Sequence, residues 1–210
     1  MTTPNPTADL LRAARIVPVL TIRDADQAVP LARALVAGGV RTLEVTLRTE
    51  AGAKAAEAIM AEVPDAIVGL GTVLARRDLL LAQRLGVPFA VSPGATPELL
   101  DAAAEIGIPF VPGVATASEL MAAAARGFTT VKLFPAAQMG GISALKALGG
   151  PFPEARFCPT GGIGEEEMRD YLALSNVVAV GGSWLAPSAE IAAGEWEAIE
   201  ARARRAMGTI

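Results

Sequence analysis

Short apolar runs rich in β-branched residues alternate along this chain with longer, alanine-rich runs of helical period. Strands are predicted over residues 16–22, 42–46, 67–70, 89–92, 110–111, 130–134, 156–158 and 177–180. Such runs are too short for helices and are bounded by Gly, Pro or polar residues. Helices are predicted over residues 26–37, 50–62, 77–85, 97–106, 117–126, 142–148, 165–174 and 194–207. Thr96-Pro97 reads as an N-cap followed by proline at the first helical position, and Thr116 with Glu119 as a capping box. Gly38, Gly86, Gly107 and Gly127 stand where helices should stop. Strand-then-helix units with no linker between them predict one α/β domain over residues 1–210, a closed (β/α)8 TIM barrel. An open doubly wound sheet is the competing arrangement. The polar, Pro-containing first eight residues are predicted to be loose.

Within this pattern one residue is out of place. Lys132 lies inside the apolar run Thr130-Val131-Lys132-Leu133-Phe134, ended by Pro135. An amine there either reaches outward to water or gives up its hydration. Desolvation favours the neutral amine, and a neutral amine is a nucleophile toward carbonyls. The other two lysines, Lys54 and Lys146, fall in helical stretches where a solvated face is expected.

Composition narrows the chemistry. Eighteen basic residues against twenty-two acidic ones give a net charge of −4, with no polybasic segment for nucleic acid or a membrane surface. The start of the chain lacks the order of a signal peptide, and no apolar run is long enough to span a bilayer, so a soluble cytoplasmic protein is expected. There is no histidine, which excludes a Ser-His-Asp triad, a His general base and a His-ligated metal. The single Cys158 forms neither an internal disulfide nor a Cys-rich zinc site and is expected to be inert packing. No cofactor or metal is expected.

In a barrel of this kind the site is built where the strands end at their C-termini, and polar and glycine residues collect there. Glu44 alternates with Leu43 and Val45, so it faces the interior if they pack under helices. A buried carboxylate needs a partner, and Lys132 is available. The pair is either structural or catalytic, and the two readings overlap. Arg48 reads as a surface or a binding arginine, and Thr72 as a turn residue or a ligand contact. Gly161-Gly162 and Gly181-Gly182-Ser183 follow the seventh and eighth strands, where this architecture often holds a phosphate on backbone N–H groups. Tight turns are the alternative. Phe134 and Trp184 are expected as walls or core.

Six motifs occur in a telling order: LEVTLRT at 43–49, GLGTVL at 69–74, SPG at 92–94, KLFPA at 132–136, CPTGGI at 158–163 and GGSWL at 181–185. Together they closely resemble the class I 2-keto-3-deoxy-6-phosphogluconate (KDPG) and 4-hydroxy-2-oxoglutarate aldolases, over nearly the whole chain from Pro18. Leu70 is bulkier than the small residue expected at its position in that family, which bears on pocket width. The resemblance implies a homotrimer of (β/α)8 barrels acting in the Entner–Doudoroff pathway on a small phosphorylated 2-keto acid. It implies Lys132 as the Schiff-base lysine and Glu44 as the proton-transfer carboxylate. Arg48 and Thr72 would hold the pyruvyl carboxylate, Phe134 would pack beside the imine, and Thr160 would lie near the hydroxylated carbons. Gly161, Gly162, Gly182 and Ser183 would bind the phosphate. Two other readings compete: a non-covalent phosphate-binding isomerase or synthase in which Lys132 is only a cation, and a non-catalytic assembly protein.

Overall fold

The computed structural model describes residues 5–210. Parallel strands β1 (Ile16–Leu20), β2 (Thr42–Thr46), β3 (Ile67–Gly71), β4 (Ala90–Val91) and β5 (Phe110–Val111) pair in sequence order, and β9 (Val180–Gly182) pairs with the free edge of β1. Strands β6 (Gly113–Val114), β7 (Thr130–Leu133) and β8 (Arg156–Phe157) form a second parallel sheet. Only Pro112 separates β5 from β6. A proline has no N–H for a ladder, so β5 ends there as expected and the chain resumes pairing as β6, a strand not expected. The Pro112 carbonyl still accepts from Lys132 N, and Ser92 Oγ accepts from Gly113 N at 3.1 Å. At the other margin, bridges Phe157↔Val177 and Thr160↔Gly181 link the end of β8 to the β9 segment.

Each strand sends alternate residues to opposite faces, and the two faces bury different material. Ile16, Leu20, Leu43, Val45, Val68, Leu70, Val131, Leu133 and Phe157 belong to the large cluster under the helices. Val17, Phe89, Val91, Val111, Cys158, Val178 and Ala179 form a smaller inner cluster. Leu70 therefore packs outward under the helices, and its bulk has no bearing on pocket width. The inner face also carries glycine opposite large groups. A methyl at Gly69 would lie 2.3 Å from the Phe89 ring, and one at Gly181 would lie 2.2 Å from Thr160 Oγ1.

The helical predictions for α2 (Ala28–Ala37), α3 (Gly52–Glu62), α4 (Arg76–Leu85), α5 (Pro97–Ile106), α6 (Ala117–Ala124), α7 (Gly141–Gly149), α8 (Met168–Leu172) and α10 (Trp196–Gly208) agree in place, with ends shifted by a few residues. Thr96 Oγ1 caps α5 through Leu99 N, and Thr116 and Glu119 form the expected box at α6. Gly86 and Gly107 end α4 and α5 in the left-handed conformation, whereas Gly38 ends α2 without leaving the right-handed region. Two helices were not expected: α9 (Ser188–Ala193) and α1 (Pro6–Ala14).

Helix α1 overturns part of the loose-terminus expectation. Residues 1–4 lie outside the described residues, but Pro6, Thr7 and Ala8 open a helix capped by the Asn5 side chain on Ala8 N. Asn5 also donates to Thr129 Oγ1 and Thr130 Oγ1, tying the helix to the start of β7. Ala8 and Leu11 join the inner cluster, so α1 closes the N-terminal end of the space between the strands. The open end is the one where the strands finish.

Candidate active site

Lys132 on β7 and Glu44 on β2 share the inward parity of their strands, and their side chains meet in the interior. Lys132 Nζ lies 3.1 Å from Glu44 Oε1 and 3.4 Å from Oε2. The two residues are only 2% and 3% exposed. Lys54 and Lys146 are exposed on helices, as expected. Removing two charges from water costs several kcal/mol per ion before their attraction offsets it. A site kept at that cost sits at the open end of the strands, which is where chemistry is expected in this architecture. Glycine makes the carboxylate's berth: a methyl on Gly71 would lie 2.3 Å from Glu44 Oε1.

The neighbours of the pair are apolar below and polar above. Phe134 presents its ring with its centroid 5.5 Å from Lys132 Nζ, within cation–π range. Cys158 is buried, and burial pushes its thiol up to about 12, with the Lys132 charge opposing that shift and Glu44 adding to it. It stays protonated and is no nucleophile. Thr160 is buried, and its hydroxyl donates to the Cys158 carbonyl at 3.3 Å. At the rim Arg48 Nε donates to Thr72 Oγ1 at 3.1 Å. Thr72 holds φ of 60°, a region a β-branched residue rarely adopts, so its hydroxyl is aimed by a strained backbone.

The glycine motifs divide into two kinds. Gly161 and Gly162 have φ of 99° and 73°, a turn that only glycine enters without strain. Among the described residues their N–H groups donate to no protein acceptor. Gly181 and Gly182, expected as loop, instead pair with Val17 and Pro18 as part of β9, and Ser183 is the first exposed residue beyond it. The two segments lie side by side through the Thr160↔Gly181 bridge. Trp184 covers Gly182, where a methyl would lie 2.6 Å from the indole.

Two hydroxyls here were not anticipated. Thr46 is buried and donates to the Leu20 carbonyl at 2.9 Å, and Thr21 lies beside it with 3.4 Å between the oxygens. Counting two residues on from Glu44 would have found Thr46. A separate cavity of about 1070 Å³ lies at the opposite end, beside α1, and contains none of the residues expected to act.

A buried amine–carboxylate pair at the C-terminal ends of parallel strands is an arrangement of the kind that suits imine chemistry on a carbonyl compound. The family model for KDPG and KHG aldolase matches residues 7–202, and the chain belongs to that family. It is 50% identical over 198 residues to the KHG/KDPG aldolase of Escherichia coli K12, covering 94% of this chain and 93% of the relative. It is also 50% identical over 199 residues to the 2-dehydro-3-deoxy-phosphogluconate aldolase of Pseudoalteromonas atlantica, covering 95% and 93%. The crystal structure of the KDPG aldolase of Legionella pneumophila superposes with a TM-score of 0.92 at 43% identity, covering 95% of this chain and 97% of that one. That structure holds pyruvate captured at low pH as a covalent carbinolamine.

Proposed function

We propose that this protein is a class I aldolase that cleaves 2-keto-3-deoxy-6-phosphogluconate to pyruvate and glyceraldehyde 3-phosphate, and 4-hydroxy-2-oxoglutarate to pyruvate and glyoxylate. One observation carries the proposal above the others: a lysine and a glutamate, both buried, stand 3.1 Å apart at the open end of the strands. The carbinolamine in the Legionella pneumophila relative supports the same chemistry.

The steps follow from the geometry. Glu44 takes a proton from Lys132 Nζ, leaving the amine a lone pair for attack on the C2 ketone. Glu44 returns that proton to the carbinolamine hydroxyl, which leaves as water and gives an iminium that draws electrons from the C3–C4 bond. As that bond breaks, Glu44, directly or through one water, accepts the C4 hydroxyl proton and the aldehyde departs. The remaining enamine takes a proton at C3 from Glu44, and hydrolysis returns the amine and pyruvate. The iminium formed on the lysine is the electron sink, so the sequence needs no cofactor. Arg48 and Thr72 fix the pyruvyl carboxylate, and Phe134 covers the imine with an apolar ring. Thr160 faces the hydroxylated carbons. The N–H groups of Gly161, Gly162 and Gly182, with the Ser183 hydroxyl, take the phosphate.

The two sheets act as one closed (β/α)8 barrel in a single domain. Its seams are the Pro112 break, which a continuous chain crosses, and the two bridges between β8 and β9. The assembly is a cytoplasmic homotrimer. Among the described residues no helix is long and apolar enough to cross a membrane, and exposed Leu80 and Met121 offer apolar contact to a second copy.

Borohydride reduction with pyruvate present, followed by peptide mass analysis, tests the covalent step. A reduced pyruvyl adduct on the peptide carrying Lys132, absent without pyruvate, is expected. No adduct, or one on Lys54 or Lys146, refutes it.

A further inference from the structure

Strand β1 runs between β2, which carries Glu44, and β9, which ends at Gly182 and Ser183. Its register sets Val19 beside Glu44 and Leu20 beside Val45, so Thr21 falls level with Thr46. Thr21 shares parity with inward Val17, while Ile16, Leu20 and Ile22 pack outward under the helices. It is therefore the first polar side chain on the inner face of this strand, one pleat above the level of Glu44 and half-buried at the rim.

Its surroundings hold it still but leave its hydroxyl uncommitted. Thr46 donates to the carbonyl of Leu20 and Thr49 to the carbonyl of Ile22, which pins the backbone on both sides of Thr21. Because the Thr46 proton is already given to Leu20, Thr46 Oγ1 faces Thr21 as an acceptor. The 3.4 Å between those oxygens is well beyond the usual 2.5–3.0 Å of such a bond. A closer partner entering from the open end would take the Thr21 hydroxyl with little loss.

We propose that Thr21 is a specificity-determining residue that hydrogen-bonds the substrate's C5 hydroxyl. The inference rests on the aldolase reading. Glu44 works at C4 on one side of β1 and the phosphate loops hold C6 on the other. Beyond C4, whose hydroxyl Glu44 serves, the substrate carries one more hydroxyl before the phosphate, at C5. A wall hydroxyl placed between those two stations faces that group, on the side of β9 opposite Thr160.

The test runs in the synthetic direction, with pyruvate and either glyceraldehyde 3-phosphate or 3-oxopropyl phosphate, the same aldehyde without its 2-hydroxyl. Thr21→Val keeps the shape and removes the hydroxyl. The ratio of kcat/KM for the two aldehydes should fall about 3- to 10-fold, the equivalent of one neutral hydrogen bond. Thr21→Ser, which restores the hydroxyl, should recover the ratio. An equal loss on both aldehydes, or an unaltered ratio, overturns the role of Thr21 while pyruvate trapping at Lys132 still upholds the aldolase. Failure of the unsubstituted protein to trap pyruvate overturns both.

Discussion

Replacing Gly71 by alanine tests how tightly the acid of the pair is seated. The new methyl would lie 2.3 Å from Glu44 Oε1, 2.5 Å from Cγ and 2.8 Å from Cδ, whereas ordinary contact begins near 3.4 Å. The whole carboxylate arm must then move by about 1 Å, because the crowding reaches along it and a turn of the carboxylate alone does not relieve it. The hydrogen bond to Lys132 Nζ is 3.1 Å long, and a shift of that size takes it outside useful range or reorients it. Misplacing a reacting group by 1 Å costs about 100-fold in rate. Overpacking a buried site costs about 1–3 kcal/mol, or about 2–12 °C in Tm for a chain of this size. Gly71→Ala should therefore lower kcat about 100-fold in a pyruvate-release assay coupled to lactate dehydrogenase, and lower Tm within that range. Gly86→Ala is the control. Its backbone is left-handed, at φ of 70°, with nothing within 4 Å, so it should lose about 1 kcal/mol and no kcat. If Gly71→Ala kept kcat within twofold and Tm within a degree, Glu44 would be free to move and the seating account would be wrong.

Two further outcomes concern the scaffold. Leu11→Ala removes the buried plug of α1 and should cost about 2–5 kcal/mol with little change in kcat per folded molecule. A loss below about 1 kcal/mol in chemical denaturation would show that α1 does not close the inner cluster. Acid should weaken the fold through carboxylates held below their usual value near 4.5. Glu119 is held down chiefly by the Ala115 backbone N–H, and Glu190 by its hydrogen bonds from Arg202. Because folding depresses these groups, their contribution is complete above about pH 4.5 and fades as pH falls through the lowered folded values. The double variant Glu119→Gln, Glu190→Gln should lose less Tm than the unaltered protein between pH 5 and 3, and parallel curves would contradict this.

Lys132 and Glu44 were legible in the sequence because a charge inside a β-branched alternation has few comfortable explanations. Their pairing was legible as well, because a buried carboxylate needs a partner and Lys132 is the buried cation on offer, 88 positions further along the chain. Thr21 went unnoticed because threonine is an ordinary strand residue, and its meaning comes from the inward parity it shares with Val17 and its place between β2 and β9. Gly181 and Gly182 were read as loop because glycine disfavours strands. Tertiary pairing with Val17 and Pro18 overrides that preference. Helix α1 was hidden for a similar reason. Its nine residues are too few to hold a helix alone, and the Asn5 contacts and the pocket for Leu11 exist only once the strands are assembled.

Because Ala8 and Leu11 stopper the inner face from beneath, the described residues leave the far end of the strands as the way in and out. Whatever is tethered deepest leaves last, so the aldehyde fragment must clear the passage before the ketoacid half can be freed. A blind-ended vessel thus imposes a queue on product departure, with no moving gate needed to enforce it.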